Sequence, residues 1–447
     1  MNSTNQTHDP SLKSWIESAN SEGTDFPIQN LPFCVFQDSN QAPSVGIGIG
    51  DKILNLKICC EQGLVPNDLV KAASAPSLNQ MMSLSVESRS QIRKWASDLL
   101  AEGTQADQNA LEKALVNQSD VELIMPCQIG DYTDFYASIY HAQNVGSMFR
   151  PNNPILPNYR HMPIGYHGRA SSVVASGTQI VRPVGQLSPA EEGGLPSRGP
   201  CKLLDYELEV ACFVAGGNQL GETIPIGNAE EHIFGLALLN DWSARDIQKW
   251  EYVPLGPFLG KSFATTVSPW IVTMEALAPF RCKEYARPEG DPTPLEYLKS
   301  DSNSKFGGID LELEVYLQSE KMEQENIDPM KLTQASFTNL YWTIAQMLTH
   351  HSSNGCNMSP GDMYGSGTVS GPDRNTRGSL LELTWDGDRH NPVPGSQRTP
   401  LKLPTGEERK FLADGDAVII KGFCESESHT RIGFGTCEGR IQPAKIG

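Results

Sequence analysis

LLDYELEVACF, residues 203–213, is the stretch that decides which fold the sequence predicts. Its acidic and apolar or aromatic residues alternate one by one: Asp205, Glu207 and Glu209 with Tyr206, Leu208 and Val210. A β-strand turns successive side chains to opposite faces, so this pattern predicts a strand with its carboxylates on one face. The apolar run at residues 233–239 has the length of a buried strand. Asp241 lies at the end of this predicted strand.

Other segments extend the same architecture. Residues 310–317 alternate with period two, and residues 415–420 and 431–437 are also predicted strands. The clearest helical pattern covers residues 338–350, with Gly355 as the stop signal beyond it. Gly 40 and Pro 31 indicate many turns. The sequence therefore predicts a mostly β, α+β protein rather than a helical bundle.

The composition changes near residues 121–126, where a catalytically plain segment gives way to one rich in His, Arg, Asp and aromatic residues. Upstream, residues 33–58 have a hairpin-like pattern and residues 88–115 have helical spacing. We predict a polar N-terminal extension at residues 1–25, frayed or loosely docked, an N-terminal domain at 26–122 and a larger second domain at 123–447.

Charge and cysteine content exclude several classes of protein. The chain has 447 residues and a formal net charge of −18, which argues against nucleic-acid binding and against anionic membranes. No apolar run is long enough to span a membrane, and the N-terminus lacks a signal-peptide pattern. We expect a cytoplasmic protein whose 10 cysteines are free thiols.

The alternating carboxylates have two interpretations. Asp205, Glu207 and Glu209 could belong to an ordinary half-exposed strand. Like charges in a row repel, however, and a hard cation such as Ca²⁺ or Mg²⁺ would relieve the repulsion. Asp241 could cap a helix or supply a further carboxylate to that cation.

Two further segments carry polar groups at helical spacing. If the residues after Asp241 form a helix, Arg245, Gln248 and Tyr252 share one face, either solvated or turned to a substrate. A helix starting after Asp131 would hold Asp134 in its first turn and His141 about two turns later. A histidine there suits a general base, because unperturbed histidine titrates near pH ~6.5, or it is simply bonded to a neighbour.

The segment GPFLGKSFA, residues 256–264, imitates two motifs that we reject. It is one residue too short for a phosphate-binding loop, and Pro257 lacks a backbone N–H that the phosphates would need. It also lacks the last glycine of a nucleophile elbow, where Ala264 stands. Lys261 remains a candidate donor to a developing oxyanion.

Taken together, these segments resemble the fumarylacetoacetase family. The resemblance covers essentially all of the chain after about residue 120, and its motifs lie at residues 131–136, 165–172, 205–209, 240–246, 254–263, 350–356, 365–371 and 381–383. It implies a small N-terminal barrel of the Src-homology-3 kind, followed by a larger mixed β-sandwich roll that forms a homodimer and the active site.

The resemblance also implies an activity and a set of residue roles. The expected reaction is hydrolysis of 4-fumarylacetoacetate, a diketo acid, to fumarate and acetoacetate, the last step of tyrosine and phenylalanine breakdown. His141 matches the general base and Glu382 the acid that orients it. The divalent cation, Ca²⁺ or Mg²⁺, matches the ligands Asp134, Glu207, Glu209 and Asp241.

The remaining matches concern the substrate and a second cation. Arg245, Gln248 and Lys261 match donors around the leaving group. Residues that match substrate contacts are Tyr136, Arg150, Tyr166, Gln248, Tyr252 and Thr368. Asp241, Lys261 and Thr265 match a second, structural cation site, next to Ala264, where the family usually has glycine.

Two alternatives remain open at this point. One is a related hydrolase, decarboxylase or isomerase of acylpyruvates or dienedioates, although such relatives are usually shorter and lack the N-terminal domain. The other is a non-catalytic metal-binding protein on the same fold. The presence of both His141 and Glu382 speaks against the second, because a scaffold needs neither.

Overall fold

A computed structural model describes residues 3–38, 42–191, 193–387 and 397–445. The predicted mostly β, α+β class is confirmed, because strands build three large sheets and helices pack around them. The described helices are Leu56–Glu61, Val70–Ala73, Asn79–Met82, Val86–Leu100, Gln108–Ala114, Ile139–Phe149, Arg245–Glu251, Asp301–Phe306, Glu320–Gln324, Ile344–Ser352 and Leu380–Leu383. None of them is both long and apolar enough to cross a membrane.

The largest sheet has eight strands and mixed pairing. Its spatial order is Gly165–His167, Tyr132–Phe135, Met363–Gly365, Leu208–Val214, Ile233–Asp241, Thr265–Val267 and Val173–Ala175, with Val272–Thr273 also paired to Ile233–Asp241. The predicted strand at 203–213 is interrupted: Leu204–Asp205 pairs instead with Ser243–Ala244. Between Asp205 and Leu208 the chain therefore changes its pairing strand, from Ser243–Ala244 to Ile233–Asp241.

A second mixed sheet has five strands, in the order Met330–Ser336, Glu312–Gln318, Ala417–Ser426, His429–Gln442 and Gln179–Val181. It confirms the strands predicted within residues 310–317, 415–420 and 431–437. Short two-stranded ribbons complete the described strands: Val184–Leu187 with Ser197–Pro200, Arg281–Cys282 with Gly308–Ile309, and Leu401–Lys402 with Glu408–Arg409.

The eight-stranded sheet is buried on both faces. Along Leu208–Val214, the side chains of Leu208, Val210 and Cys212 enter one hydrophobic core, whereas Ala211 and Phe213 enter another. This is the period-two alternation of a strand between two packed layers. The second core also contains N-terminal residues such as Val35, Ile47 and Ile92, so the N-terminal part of the chain covers one face of this sheet.

The N-terminal part contains a five-stranded antiparallel sheet in the order Leu115–Asn117, Lys52–Asn55, Ser44–Ile49, Phe33–Gln37 and Glu122–Ile124. The predicted hairpin is therefore present. The helical pattern at residues 88–115 is instead two helices, Val86–Leu100 and Gln108–Ala114, which end before a strand. The division of the chain at residue 122 stays a prediction.

The expectation of a frayed N-terminus is wrong for residues 3–25. Thr7 and His8 are buried, and His8 Nε2 lies 2.8 Å from the backbone oxygen of Glu275. The Arg93 guanidinium donates to Thr7 Oγ1 and to the backbone oxygens of Gln29 and Asn30. The polar composition of this segment did not predict its docking, because partners such as Arg93 and Glu275 lie far away in the sequence.

The predicted helix at residues 338–350 begins later than expected. Phe337–Asn339 is a 3-10 turn, and the α-helix is Ile344–Ser352. Thr343 sets the start, because its hydroxyl accepts from Gln346 N and the Gln346 side chain accepts from Thr343 N. Cys34, Cys59, Cys60, Cys127, Cys201, Cys212, Cys282, Cys356, Cys424 and Cys437 are free thiols, as predicted.

Candidate active site

Three strands of the eight-stranded sheet bring Asp134, Glu209 and Asp241 together, with the strand Met363–Gly365 between the first two. Their side chains lie on the face of the sheet that packs against the second core. On each strand a residue two positions away belongs to that core: Tyr132 for Asp134, Ala211 for Glu209 and Leu239 for Asp241. The predicted helix after Asp131 is wrong, because Tyr132–Phe135 is a strand paired with Met363–Gly365. The helix that carries His141 begins only at Ile139, with Ser138 as its cap.

The strand that separates Asp134 from Glu209 contributes a glycine there. Gly365 pairs with both Asp134 and Ala211. A Cβ at Gly365 would lie 2.9 Å from Glu209 Oε2 and 3.1 Å from Asp134 Oδ1. The missing side chain therefore leaves room for the two carboxylates to converge.

Asp134, Glu209 and Asp241 form a compact acidic group, which we call the acidic triad. One oxygen from each lies within 4.8 Å of the others, and all three residues are buried. Burial and the neighbouring carboxylates raise the pKa of Asp134 and Glu209 well above the usual range. Asp134 Oδ1 and Glu209 Oε1 have no hydrogen-bond partner among the described residues.

The acidic triad fits a hard divalent cation. Oxygen ligands from separate strands suit Ca²⁺ or Mg²⁺, and a cation would neutralise buried charge that the described side chains leave unpaired. The interpretation of Asp205, Glu207 and Glu209 as part of an ordinary half-exposed strand is wrong, since all three are buried. Asp241 is likewise not a helix cap, because Ala244 precedes the helix Arg245–Glu251.

Glu207 differs from the triad in that both of its oxygens are engaged. Oε1 accepts from Arg245 Nη1 at 2.8 Å, and Oε2 accepts from Lys261 Nζ. Burial would raise the pKa of Glu207, but Arg245 and Lys261 outweigh it and hold that pKa below the usual range. Glu207 therefore stays ionised beside the triad, and its role as a cation ligand stays a prediction.

The two buried cations of the site are fixed by carboxylates. Arg245 donates to Asp205 Oδ2 through Nε at 3.0 Å and Nη2 at 2.9 Å, in addition to its bond to Glu207. The Lys261 ammonium donates to Asp241 as well as to Glu207. Burial opposes the charge of Lys261, but Asp241 and Glu207 raise its pKa, so it stays protonated.

Thr265 lies on the strand next to Asp241, and its hydroxyl donates to Asp241 Oδ1 at 2.8 Å. Of the residues of the predicted second cation site, Lys261 and Thr265 therefore both donate to Asp241, one to each carboxylate oxygen. A protonated ammonium has no lone pair for a metal, so the Lys261 side chain acts here as a donor. The second site stays a prediction.

His141 and Glu382 form a buried pair. The distance from His141 Nδ1 to Glu382 Oε2 is 2.6 Å, and His141 Nε2 lies 3.6 Å from Glu207 Oε1. Burial would raise the pKa of Glu382, but His141 and the hydrogen bonds to Glu382 lower it. An ionised Glu382 accepts a hydrogen bond from the Nδ1–H group of His141, and this tautomer leaves the Nε2 lone pair free to act as a base.

Three donors that the sequence analysis missed hold Glu382 in place. Asn144 Nδ2 donates to Oε1 at 2.8 Å, and the hydroxyls of Ser370 and Ser379 donate to Oε2 at 3.0 and 2.9 Å. Signals in the sequence could have found two of these three donors, Asn144 and Ser379. Asn144 follows His141 by one helical turn, and Ser379 precedes Glu382 at the spacing of a capping box.

A cavity of about 550 Å³ opens beside these groups. Its lining includes most of the predicted site residues: Asp134, Tyr136, His141, Arg150, Tyr166, Glu207, Glu209, Arg245, Gln248, Tyr252, Lys261 and Thr368. Glu382 is absent from the lining because it lies behind His141, and Asp241 and Thr265 are absent as well. Arg245, Gln248 and Tyr252 face the cavity, as the predicted helix face requires.

The comparison with known families covers both parts of the chain. The family model described as "Fumarylacetoacetate (FAA) hydrolase C-terminal" matches residues 132–442, and the one described as "Fumarylacetoacetase N-terminal" matches residues 29–126. The chain belongs to the fumarylacetoacetase family.

Curated relatives extend this assignment over nearly the whole chain. A protein of Homo sapiens named fumarylacetoacetase is 49% identical over 432 residues, 95% of this chain and 98% of the relative. Proteins of the same name from Dictyostelium discoideum and Arabidopsis thaliana are each 47% identical over 441 residues, 97% of this chain, and cover 98% and 99% of their own lengths. This member of the fumarylacetoacetase family therefore has the length of its relatives.

Proposed function

We propose that this chain is a metal-dependent hydrolase that cleaves a carbon–carbon bond of 4-fumarylacetoacetate to give fumarate and acetoacetate, in tyrosine and phenylalanine breakdown. The name and near-complete coverage of the relatives support this activity. The observation that carries it is the position of the His141–Glu382 pair beside the acidic triad, at a single cavity.

His141 is the general base of this proposal. With Nδ1 held by Glu382, Nε2 removes a proton from water, and the resulting hydroxide attacks the carbonyl carbon next to the fumaryl arm. The carbon–carbon bond then breaks, and its electron pair leaves with the acetoacetate fragment as an enolate. Protonation of that enolate at carbon completes acetoacetate, and the protonated His141 is returned to its basic form.

Asp134, Glu209 and Asp241, with Glu207 as a predicted fourth ligand, would hold a divalent cation, either Ca²⁺ or Mg²⁺. A bound cation would supply Lewis acidity toward the oxygens of the 1,3-diketone. Lys261 and Thr265 restrain Asp241 through their hydrogen bonds, so they contribute to the geometry of the ligand set.

The donors around the cavity act on the substrate oxygens. Arg245, Gln248 and Lys261 stabilise negative charge that develops on the leaving enolate. Arg150, with Tyr136, Tyr166, Tyr252 and Thr368, binds the substrate and one of its carboxylates. The Tyr166 hydroxyl also donates to Asp134, which connects substrate binding to the triad.

We also propose three properties that the family resemblance implies. We propose a homodimer, a cytoplasmic location, and the division into an N-terminal extension at residues 1–25, an N-terminal barrel domain at 26–122 and a catalytic domain at 123–447. Gel filtration with light scattering measures the oligomeric state directly.

The activity is tested by following the ultraviolet absorbance of the diketone with the purified full chain and fumarylacetoacetate. We expect the absorbance to fall while fumarate and acetoacetate appear in equal amounts, and we expect a chelator to stop the reaction until Ca²⁺ or Mg²⁺ is restored. An intact diketone in the presence of either cation would contradict the proposal, and acylpyruvates and dienedioates would be the next substrates to assay.

A further inference from the structure

The two buried cations that line the cavity already have carboxylate partners. Arg245 is paired with Asp205 and Glu207, and Lys261 with Glu207 and Asp241. These two cations can donate hydrogen bonds to substrate oxygens, but their charge is matched by buried carboxylates. They add little net attraction for an anionic substrate in a chain with a net charge of −18.

Lys249 differs from the buried cations of the cavity. It lies one turn after Arg245 on the helix Arg245–Glu251, lines the same cavity and is exposed to solvent. Within the described part of the chain, its ammonium has no ion pair and no hydrogen bond. Lys249 therefore places a positive charge at the solvent-exposed edge of the cavity that no described carboxylate balances.

Arg150 supplies a second such charge to the same cavity from a different segment of the chain. It ends the helix Ile139–Phe149, and its Nε is buried without a hydrogen-bond partner among the described residues. Among the described residues neither Lys249 nor Arg150 has a carboxylate partner, so the cavity offers two cations to a ligand with two carboxylates. A ligand with one carboxylate would use only one of them.

We propose that Lys249 is a specificity-determining residue that pairs with one carboxylate of a dicarboxylate substrate while Arg150 pairs with the other. This inference rests on the proposed function, in which the substrate is a diketo acid with a carboxylate at each end. Lys249 is solvent-exposed and flexible, so it acts as a point charge that attracts and selects the dianion, and it takes no part in bond breaking.

The test compares two substrates and three variants of the full chain, loaded with Ca²⁺ or Mg²⁺. Fumarylacetoacetate has two carboxylates, and 2,4-dioxopentanoate has one. The variants are Lys249→Gln, Lys249→Arg and Lys71→Gln. Lys71 is an exposed lysine on the helix Val70–Ala73, away from the cavity, so its variant removes the same charge without touching the site.

We expect Lys249→Gln to lower kcat/KM for fumarylacetoacetate about fivefold at low salt, chiefly through KM, because exposed charge pairs contribute about 1 kcal/mol at most. The loss should shrink as salt is added. Lys249→Arg should keep most of the wild-type value, and Lys71→Gln all of it. For 2,4-dioxopentanoate, measured as a substrate or as a competitive inhibitor, Lys249→Gln should cause a clearly smaller loss, because its single carboxylate pairs with Arg150 and leaves none for Lys249.

Two outcomes would overturn the inference while the proposed function stands. One is an unchanged kcat/KM for the dicarboxylate in Lys249→Gln, and the other is an equal loss for both ligands. If the wild-type enzyme cleaves no diketo acid although it binds the cation, the proposed function itself fails and this inference fails with it.

Discussion

At the scale of single residues, the chemistry depends on how one carboxylate is held. Glu382 accepts hydrogen bonds from Asn144, Ser370 and Ser379 as well as from His141. These bonds fix both the charge of Glu382 and the tautomer of His141. A side chain of the same shape without the charge should therefore retain the fold but lose the catalytic tautomer.

Glu382→Gln is expected to lower kcat about 10³- to 10⁴-fold, the scale seen when the acid behind a catalytic histidine is replaced by its amide. The Gln amide can present an N–H toward Nδ1 and so favour the wrong tautomer. The measurement is kcat with saturating cation, with the exposed Glu231→Gln as the matched control. Activity within tenfold of wild type would remove Glu382 from the mechanism.

The acidic triad makes stability depend on pH and on the cation. The triad carboxyls have raised pKa values through burial, so the folded protein keeps protons that the unfolded chain loses. The free energy of unfolding without cation should therefore fall as pH rises above the ordinary carboxylate range. A divalent cation binds the deprotonated carboxylates, so its stabilising effect should grow over the same range.

This is measured as the increase in Tm on adding Ca²⁺ or Mg²⁺ to chelator-treated protein at about pH 6 and about pH 8. We expect the larger increase at the higher pH. A larger increase at the lower pH would mean that the triad does not bind the cation through its carboxylates. The fully cation-loaded protein serves as the control, since its Tm should vary less between the two pH values.

At the scale of secondary-structure elements, Asp205 connects three segments of the site. Its carboxylate accepts from the Arg245 guanidinium and from the backbone N–H groups of Leu380 and Leu381. Those two residues begin the short helix that carries Glu382. Asp205 therefore positions both the helix Arg245–Glu251 and the helix Leu380–Leu383.

Asp205→Ala is expected to reduce the free energy of unfolding by about 3–5 kcal/mol, because it leaves the buried Arg245 charge with only part of its compensation. Urea unfolding measures the change, and Asp328→Ala, at an exposed position, is the control. A loss no larger than that of the control would mean that Asp205 does not anchor these helices.

The sequence predicted elements better than their junctions. Local periodicity predicted the strand at residues 233–239 and the shared face of Arg245, Gln248 and Tyr252, but it left open whether that face meets solvent or a substrate. The conformation around Asp134 did not, because a strand or a helix fits so short a segment and pairing with Met363–Gly365 decides between them. Of the donors to Glu382, only Ser379 has a spacing signal relative to Glu382 itself, whereas the signal for Asn144 is its spacing from His141.

At the scale of the whole molecule, the N-terminal part and the catalytic part share a hydrophobic core. Phe213 and Leu239 of the eight-stranded sheet pack in the same core as Val35 and Ile92 of the N-terminal part. The backbones of Phe33 and Ile271 also exchange two N–H···O hydrogen bonds. Composition suggested a boundary near residue 122 but contained no information about this shared core.

Arg93→Ala should destabilise the molecule as a whole by about 3 kcal/mol, because it removes buried hydrogen bonds to Thr7, Gln29 and Asn30 and leaves carbonyls unpaired. Burial already lowers the pKa of Arg93 to about 10. Thermal unfolding followed by far-ultraviolet circular dichroism and by loss of activity should give one shared transition at a lower Tm. Separate transitions would show that the two parts unfold independently.

The most direct test of the central claim is single-turnover cleavage of fumarylacetoacetate by His141→Ala, with cation affinity measured on the same sample by calorimetry. If His141 is the base beside a cation held by the acidic triad, the variant should bind Ca²⁺ or Mg²⁺ as the wild type does and show no cleavage above background. Cleavage at a rate near that of the wild type, with the cation bound, would contradict this account of the site.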